Sequence, residues 1–418
     1  MRRILAVLLC CGMAPGFAGA LHGAGATFPY PLYARWAAQY RAQTGIDVDY
    51  DPVGSGAGIE RVERGLVDFG ASDMPLSPQD LQRNALQQFP AVIGGIVPIF
   101  NIAGIGSGEL RLSGAVLADI YRGRIRKWNA PAITELNPRL HLPNSAITVV
   151  HRADASGSSF LWGRFLASAS ADWTVAVTAT PDWPVGVAAT GNEGVASSVQ
   201  RTRMAIGYVE YAYAREHRLS MAAVQNLAGR FVRPGLDGFR AALEASQAAS
   251  HEAGNAGEDW NTRLSNPPGE NSWPITAASF VLLPAASAAG ERRREVYRFF
   301  AWALRNGQPA ALKLDYLPLP DVIVDDIMRR WADADRPPDA VAPAATPSAA
   351  SPCTSRFSAR AAPSAAQPRL RPDTAVRPGL QSGREPPGLL PHWPRAGPTI
   401  EPSRDPRAAP FPLPSAAS

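Results

Sequence analysis

The sequence predicts an α/β protein in which helices cover a mostly parallel sheet. Segments with helical and strand-like periodicity alternate along the chain, and short polar stretches rich in glycine and hydroxyl side chains separate them. In such folds, ligands bind at the carboxyl ends of strands, next to helix N-termini. The chemically distinctive residues of this chain lie at the same junctions, so we expect a functional site there.

Apolar spacing predicts the individual elements. Residues 33–40 repeat apolar side chains at the i, i+3, i+4, i+7 positions of one helix face, and residues 46–50 alternate as in a strand. The further predicted elements are, in order, a helix through IERVERG, a strand VDFGASD, a helix starting at SPQDL with Ser77 as N-cap, a strand AVIGGIVPIFNIAG, a strand WPITAASFVLLP, a helix REVYRFFAWALRNG and a last helix through residues 324–331. The stretch VVHRADASGSSFLWGRFLA joins a strand to a helix.

Both ends of the chain differ from the middle. Residues 1–20 combine two arginines, a short apolar run and the small-residue site AGA, which is the pattern of a cleaved secretory signal peptide. Residues 337–418 hold 19 of the 40 prolines and few aromatic side chains. Such a segment cannot bury enough apolar surface to offset its chain entropy, so we expect a disordered tail rich in proline, alanine and arginine.

Charge and cysteine content narrow the functional classes. The formal net charge of the whole chain is +5, but the two ends supply the excess and residues 21–336 carry −1. A nucleic-acid partner is therefore not expected. The three cysteines, at positions 10, 11 and 353, all lie in the end segments, so the globular part has no disulfide and depends on its apolar core.

Four polar, glycine-containing stretches lie near predicted strand ends. They are GAGATFP, GSGAG, FGASDMP and HRADASGSS, which begin at Gly23, Gly54, Phe69 and His151. Their glycines let backbone N–H groups approach a ligand, and their hydroxyl and carboxylate groups are suited to contact it. Two interpretations stay open for these stretches. They are turns and helix caps without further function, or they form one anion site at helix N-termini.

The motifs of common catalytic sites are absent from the sequence. It has no P-loop, no S-x-x-K and no G-x-S-x-G motif. Its six histidines never pair at i+3 or i+4, and no cysteine is available between residues 21 and 336, so no metal site is expected. Hydroxyl groups without a neighbouring base bind ligands rather than attack them. We therefore expect a binding protein without a cofactor, and not an enzyme.

Ten stretches resemble a known family in both order and spacing. They are GAGATFPYPLYARW, VGSGAGIERVERGLVDFGASDMPLS, FPAVIGGIVPIFNI, GEL, DIYRGRIRKWN, LNPRLHLP, RADASGSSF, QRTRMAIGYVEYAYA, WPIT and LDYLPLP. Between about Leu21 and Trp331 the chain resembles the periplasmic phosphate-binding proteins of high-affinity phosphate ABC transporters.

This resemblance implies a two-lobed clamshell fold of the type II periplasmic class with two hinge crossings. Lobe I would comprise residues 21–93 and 273–336, and lobe II residues 94–272. The implied function is to capture inorganic phosphate between the lobes and deliver it to the permease subunits of an ABC transporter. The resemblance further implies a monomer that works in the periplasm after signal cleavage.

The resemblance also implies the ligand positions. The implied phosphate-binding residues are Thr27, Phe28, Ser55, Asp73, Arg152, Ser156, Gly157 and Ser158. By the same likeness Asp154 holds the Arg152 guanidinium in place. The chain departs from the family pattern where a second serine often follows Ser55, because residue 56 is glycine. It departs again at Ala155 and Ser158, where the family has glycine and threonine.

A carboxylate at Asp73 would repel an anion unless it accepted a hydrogen bond from it. Hydrogenphosphate carries a proton to donate, whereas sulfate near neutral pH has none, so this residue would favour phosphate over sulfate. Arsenate keeps the proton and would be rejected poorly. The alternatives are a binder of another tetrahedral oxyanion (sulfate, molybdate or arsenate), a phosphate-ester hydrolase, or a surface adhesion protein that uses its tail.

Overall fold

The computed structural model describes residues 19–253, 264–285 and 290–334. Within these ranges strands and helices alternate from residue 21 to residue 334, which confirms the predicted α/β class. Of the predicted signal peptide (residues 1–20), all but the last two residues lie outside the described ranges, and so does the whole predicted tail (residues 337–418). No helix in the described part is long and apolar enough to cross a membrane.

The described strands form one large sheet and one small sheet. They are β1 (Leu21–Gly25), β2 (Val48–Asp51), β3 (Phe69–Ser72), β4 (Leu86–Phe100), β5 (Arg111–Leu112), β6 (Thr148–Arg152), β7 (Val187–Ala189), β8 (Ala205–Glu210), β9 (Ser220–Met221), β10 (Ala223–Gln225), β11 (Phe231–Val232) and β12 (Thr276–Pro284). The large sheet has the order β2-β1-β3-β12-β4-β8-β6-β7, and β9 also pairs with β4. The small sheet has the order β11-β10-β5.

The helices vary from one turn to five. In the described ranges they are α1 (Tyr30–Thr44), α2 (Ser55–Glu63), α3 (Pro78–Arg83), α4 (Gly114–Tyr121), α5 (Pro131–Thr134), α6 (Gly157–Ala169), α7 (Gly191–Arg201), α8 (Tyr211–Glu216), α9 (Leu236–Ala253), α10 (Gly290–Asn306), α11 (Gln308–Lys313) and α12 (Asp321–Ala334).

The large sheet is mixed, so the prediction of a mostly parallel sheet is wrong. β1 runs parallel to β2 and β3, and β6 runs parallel to β7 and β8. Between these two parallel groups lie β12 and β4, which are antiparallel to each other, and each is antiparallel to the group beside it. The apolar runs of β4 and β12 have no direction signal, because fully buried strands show the same composition in either orientation.

The long strand β4 joins the two parallel groups. Its first part, from Leu86 to Gly95, pairs with β12, and its last part, from Ile96 to Phe100, pairs with β8. One continuous strand thus belongs to both halves of the sheet. Its last ten residues are buried, as expected for the apolar run AVIGGIVPIF, because helices cover such a central strand on both faces.

Aromatic side chains fix α1 and α10 against the first parallel group. Tyr33 of α1 and Phe69 of β3 both make edge contacts with Phe300 of α10, at centroid distances of 5.7 and 5.2 Å. The indole of Trp36 donates a hydrogen bond to the Gly307 carbonyl at 3.0 Å. These residues occupy the helix faces that the apolar spacing predicts, and burial of such large rings contributes about 2–3 kcal/mol for each ring.

Two helix starts bear on the site. The predicted cap of α3 is confirmed, because the Ser77 side chain accepts a hydrogen bond from the backbone of Asp80. In contrast, α2 begins at Ser55, four residues before the predicted start at Ile59. The glycine-rich stretch after β2 is therefore the first turn of a helix. Glycine has a low helix propensity, so the sequence does not indicate a helix start here. In the folded protein, tertiary contacts outweigh this low propensity.

Candidate functional site

Three strand ends bring the first group of candidate residues together. β1 lies between β2 and β3 and runs parallel to both, so the residues that follow these strands emerge at one edge of the sheet. Thr27 and Phe28 lie between β1 and α1, Ser55 begins α2, and Asp73 directly follows β3. All four are buried.

A second group of candidate residues lies on the segment between β6 and α6, and it contacts the first. The Gly157 N–H donates a hydrogen bond to the Ser55 hydroxyl at 3.0 Å. The Gly56 N–H donates to the Ala155 carbonyl at 2.9 Å. The N-terminal turns of α2 and α6 therefore meet. Each helix terminus carries N–H groups without helical partners and a partial positive charge, which together suit an anion.

Asp73 lies beside the first turn of α6. A Cβ atom added to Gly157 would be 2.7 Å from the Cβ of Asp73, so only glycine fits between them. The Ser279 hydroxyl donates a hydrogen bond to an Asp73 carboxylate oxygen at 2.8 Å. Burial raises the pKa of the Asp73 carboxyl to about 7, against the hydrogen bond from Ser279 and the charge of Arg152, which both lower it. Since Ser77 caps α3, helix capping does not explain Asp73.

The serines at the start of α6 combine capping with unused hydrogen-bonding capacity. The Ser156 hydroxyl oxygen accepts a hydrogen bond from the Ser159 N–H at 3.2 Å, so Ser156 is the N-cap of α6. That bond uses a lone pair of the oxygen and leaves its hydrogen able to donate. The Ser158 hydroxyl is fully buried without a hydrogen-bond partner. A buried hydroxyl without a partner lowers the stability of the folded protein by about 1–3 kcal/mol, so a ligand that accepts its hydrogen bond is expected here.

Arg152 and Asp154 form a buried ion pair rather than a surface one. Arg152 Nε donates to one Asp154 oxygen at 2.8 Å, and its terminal nitrogen donates to the other. Their side chains are 2% and 14% exposed. Burial alone would raise the pKa of Asp154, but the hydrogen bonds and charge of Arg152 outweigh it and lower this pKa. The Gly191 N–H donates a further bond to Asp154 at 2.9 Å, so the guanidinium is held in one orientation.

Three residues that the sequence reasoning missed position Thr27 and Phe28. The Thr27 hydroxyl oxygen accepts from the Asn192 side-chain amide at 2.8 Å and from the Asn192 backbone at 3.3 Å. The Tyr213 hydroxyl donates to the Thr27 carbonyl, and the Tyr316 hydroxyl donates to the Phe28 carbonyl, both at 2.7 Å. Because its oxygen already accepts two hydrogen bonds, the Thr27 hydroxyl directs its own hydrogen elsewhere, which makes it a donor.

The arrangement is rich in donors and closed to water on one side. Ser156 and Ser158 are inaccessible to solvent, and Asp73 is 1% exposed. From the other side, a surface cavity of about 750 Å³ reaches Thr27 and is also lined by Gly191 and Tyr213. The residues that the structure describes include no cluster of three or more histidine, cysteine, aspartate or glutamate side chains that could hold a metal ion. The site residues described above combine several hydrogen-bond donors with the buried carboxyl group of Asp73 and the buried Arg152–Asp154 ion pair.

Comparisons with known proteins agree with this chemistry. A family model described as a PBP superfamily domain matches residues 14–302. The phosphate-binding protein PstS of Haemophilus influenzae is 48% identical over 316 residues, which are 75% of this chain and 93% of the relative. PstS of Pasteurella multocida is 45% identical over 330 residues, which are 78% of this chain and 94% of the relative.

Solved structures show the same fold at lower identity. A high affinity periplasmic phosphate-binding protein has a TM-score of 0.59 and 24% identity, with 74% of this chain and 93% of that chain covered. A phosphate-binding protein from Stenotrophomonas maltophilia has a TM-score of 0.55 and 22% identity, with 75% and 94% covered. With a superfamily match across residues 14–302 and relatives up to 48% identical over nearly their full length, this chain belongs to the PstS family of phosphate-binding proteins.

Proposed function

We propose that this protein captures inorganic phosphate among Thr27, Phe28, Ser55, Asp73 and the Arg152–Ser158 segment, and delivers it to the permease subunits of a phosphate ABC transporter. The observation that carries the proposal is the buried Asp73 carboxyl, which lies beside the start of α6 and its hydroxyl side chains. A site with donors alone would accept any oxyanion of the right size. One carboxyl group among them selects a ligand that brings a hydrogen of its own.

The donors suit the four oxygens of phosphate. The hydroxyls of Thr27, Ser156 and Ser158 each have a hydrogen to donate, and the N-terminal turn of α6 adds the partial positive charge of a helix start. Arg152 supplies a full positive charge whose orientation Asp154 fixes. Each charge-assisted hydrogen bond contributes about 1.5–3 kcal/mol, so a few of them suffice to bind phosphate tightly.

Asp73 gives the site its selectivity. An ionised Asp73 accepts the hydrogen of hydrogenphosphate, whereas sulfate offers none and would place a second negative charge beside the buried carboxylate without a hydrogen bond between the two. Sites that require one specific hydrogen bond reject an analogue without it by about 10⁴–10⁵-fold. Arsenate carries the same hydrogen, so we expect it to compete with phosphate.

We further propose two lobes, residues 21–93 with 273–336 and residues 94–272, which close on phosphate. Support comes from β4, whose partner changes from β12 to β8 at Gly95 and Ile96, close to the proposed crossing. Contacts between the two groups of site residues, such as Gly157 with Ser55, would then form on closure and bury the ion. The closed monomer would be the form that the permease recognises in the periplasm, after removal of the signal peptide.

An enzymatic role has less support from the same residues. A phosphate-ester hydrolase needs a nucleophile activated by a base or a metal pair. Ser55 Oγ instead accepts N–H hydrogen bonds from Gly157 and, at 3.4 Å, from Asp73. We therefore propose that the protein binds phosphate without transforming it, and that the purified protein does not hydrolyse a chromogenic phosphate ester.

Calorimetry on protein freed of bound phosphate tests the proposal. We expect tight binding of phosphate and arsenate, and clearly weaker binding of sulfate near pH 8, where a carboxyl with a pKa of about 7 is mostly ionised. The Asp73→Asn variant should bind phosphate more weakly and lose most of the discrimination against sulfate. A shorter protein without residues 337–418 should keep the full affinity. Equal affinities of the unmodified protein for phosphate and sulfate would contradict the proposed role of Asp73.

A further inference from the structure

The first turn of α2 and the loop before α6 meet through two neighbouring hydrogen bonds. Gly56 donates its N–H to the carbonyl of Ala155 at 2.9 Å, and Gly157 donates its N–H to the Ser55 hydroxyl at 3.0 Å. The bonds run in opposite directions between the same two segments. They hold together the two groups of residues to which the proposed function assigns the phosphate oxygens.

The side-chain sizes at this meeting point are tightly constrained. A Cβ atom added to Gly56 would approach the Ala155 Cβ more closely than 3.0 Å, a separation that Cβ atoms essentially never show. The next nearest atoms are the Ala155 carbonyl oxygen and Cα, at 3.6 and 3.7 Å, which are ordinary van der Waals distances. A single methyl group, that of Ala155, therefore excludes every side chain from residue 56.

Backbone conformation does not require glycine at this position. Gly54, the N-cap of α2, has a φ of +96°, whereas Gly56 has no positive φ and lies within the helix. Alanine in the first turn of a helix would ordinarily be as stable as glycine or more so. The constraint on residue 56 thus comes from its contact with Ala155 alone.

We propose that Gly56 and Ala155 are a size-matched pair that determines how closely the two halves of the site approach around the bound anion. Because residue 155 carries a methyl group, residue 56 must have no side chain. The Gly56 N–H donates its hydrogen bond to the Ala155 carbonyl. The proposal rests on the proposed function, since phosphate is the ligand whose enclosure it concerns. Gly56 and Ala155 are positioning residues for their neighbours Ser55 and Ser156.

The pair is tested with the variants Gly56→Ala, Ala155→Gly and their combination, in the full chain. Gly56→Ala adds one methyl group against a well-packed neighbour, so we expect phosphate affinity to fall roughly 10- to 100-fold. Ala155→Gly removes that neighbour and should change affinity less than about threefold. In the double variant the new methyl has only ordinary contacts, and affinity should return to within about threefold of the unmodified protein.

A matched control comes from the other helix of the site. Gly163 lies in α6, and an added Cβ there would have one neighbour, at 4.0 Å. Gly163→Ala should leave phosphate affinity unchanged in calorimetry. Stopped-flow tryptophan fluorescence should assign the loss in Gly56→Ala to faster dissociation, because the added methyl impedes enclosure after the ion has entered. Thermal unfolding without phosphate should show no loss of stability in Gly56→Ala.

The outcomes separate this proposal from the proposed function. If the unmodified protein binds no phosphate, the proposed function is wrong whatever the variants do. If it binds phosphate and Gly56→Ala binds equally well, the size-matched pair is wrong while the function stands. A loss of binding or of folding in Gly56→Ala that Ala155→Gly does not repair also overturns the pair, because the cause then lies outside the Ala155 methyl.

Discussion

Protonation of Asp73 should control whether the site accepts sulfate. The carboxyl is buried, its pKa is raised to about 7, and the Ser279 hydroxyl occupies one of its oxygens. In the ionised form it can only accept hydrogen bonds, and sulfate has no hydrogen to donate to it. In the neutral form it becomes a donor to an anion oxygen. Lowering the pH through 7 therefore converts the group that rejects sulfate into one that binds it.

The size of the effect follows from the pKa. With a pKa of about 7, the neutral fraction of Asp73 is about 3% at pH 8.5 and about 97% at pH 5.5. If sulfate binds only the form with neutral Asp73, its apparent association constant rises in proportion to that fraction, by about 30-fold. Sulfate is a cleaner probe than phosphate, because phosphate itself gains and loses a proton in this interval.

Competition calorimetry between about pH 5.5 and pH 8.5 at constant ionic strength measures this rise. The matched control is Asp73→Asn, whose amide donates at every pH. We expect this variant to bind sulfate with an affinity that is independent of pH and similar to that of the unmodified protein under acid conditions. A flat sulfate affinity in the unmodified protein would refute the reasoning, and so would an equally steep rise in Asp73→Asn, which would assign the proton to another group.

Three further expectations concern the same site. Ser158→Ala removes a buried hydroxyl that has no partner within the protein and that the proposed site offers to phosphate, so calorimetry should show roughly tenfold weaker phosphate binding. The raised pKa of Asp73 opposes its ionisation in the folded state, so the protein is more stable at low pH. Its unfolding free energy should fall by about 2 kcal/mol between about pH 5.5 and 8.5, and this fall should be absent in Asp73→Asn. Asn192→Asp replaces the amide that donates to Thr27 with a carboxylate that competes with phosphate for the Thr27 hydroxyl hydrogen. Calorimetric titration should show phosphate binding weakened roughly 10- to 100-fold, which is more than in Asn192→Ala.

The sequence predicted those parts of the fold that depend on local pattern. The helix faces of α1 and α10 and the Ser77 cap follow from apolar spacing and capping preference, and all of them are confirmed. The direction of β12 and the early start of α2 could not be predicted in this way. Strand direction depends on which strands pair, and the first turn of α2 is held by contacts with residues about 100 positions away.

In the site, too, local sequence pattern was predictable and contacts between distant residues were not. Glycine and hydroxyl groups near strand ends marked the residues that the fold gathers, but Asn192 was not marked. Its partner Thr27 lies 165 residues earlier, and a short polar side chain at the start of a helix looks like any other helix start. In the sequence, Gly56 and Ala155 are two departures from the family pattern with no visible connection. In the structure they touch, so one departure explains the other.

The electrostatics of the site explain how a globular part with a net charge of −1 can hold an anion. The positive charge of Arg152 is already matched by Asp154, so the pair contributes little net charge to the cavity. Besides hydrogen bonds from the Arg152 guanidinium, attraction then comes from oriented dipoles, namely the hydroxyls of Thr27, Ser156 and Ser158 and the N-terminal turns of α2 and α6. Dipoles fixed by the fold act only at short range and in defined directions. A site built from them distinguishes anions by the placement of their hydrogens, which a basic surface cannot do.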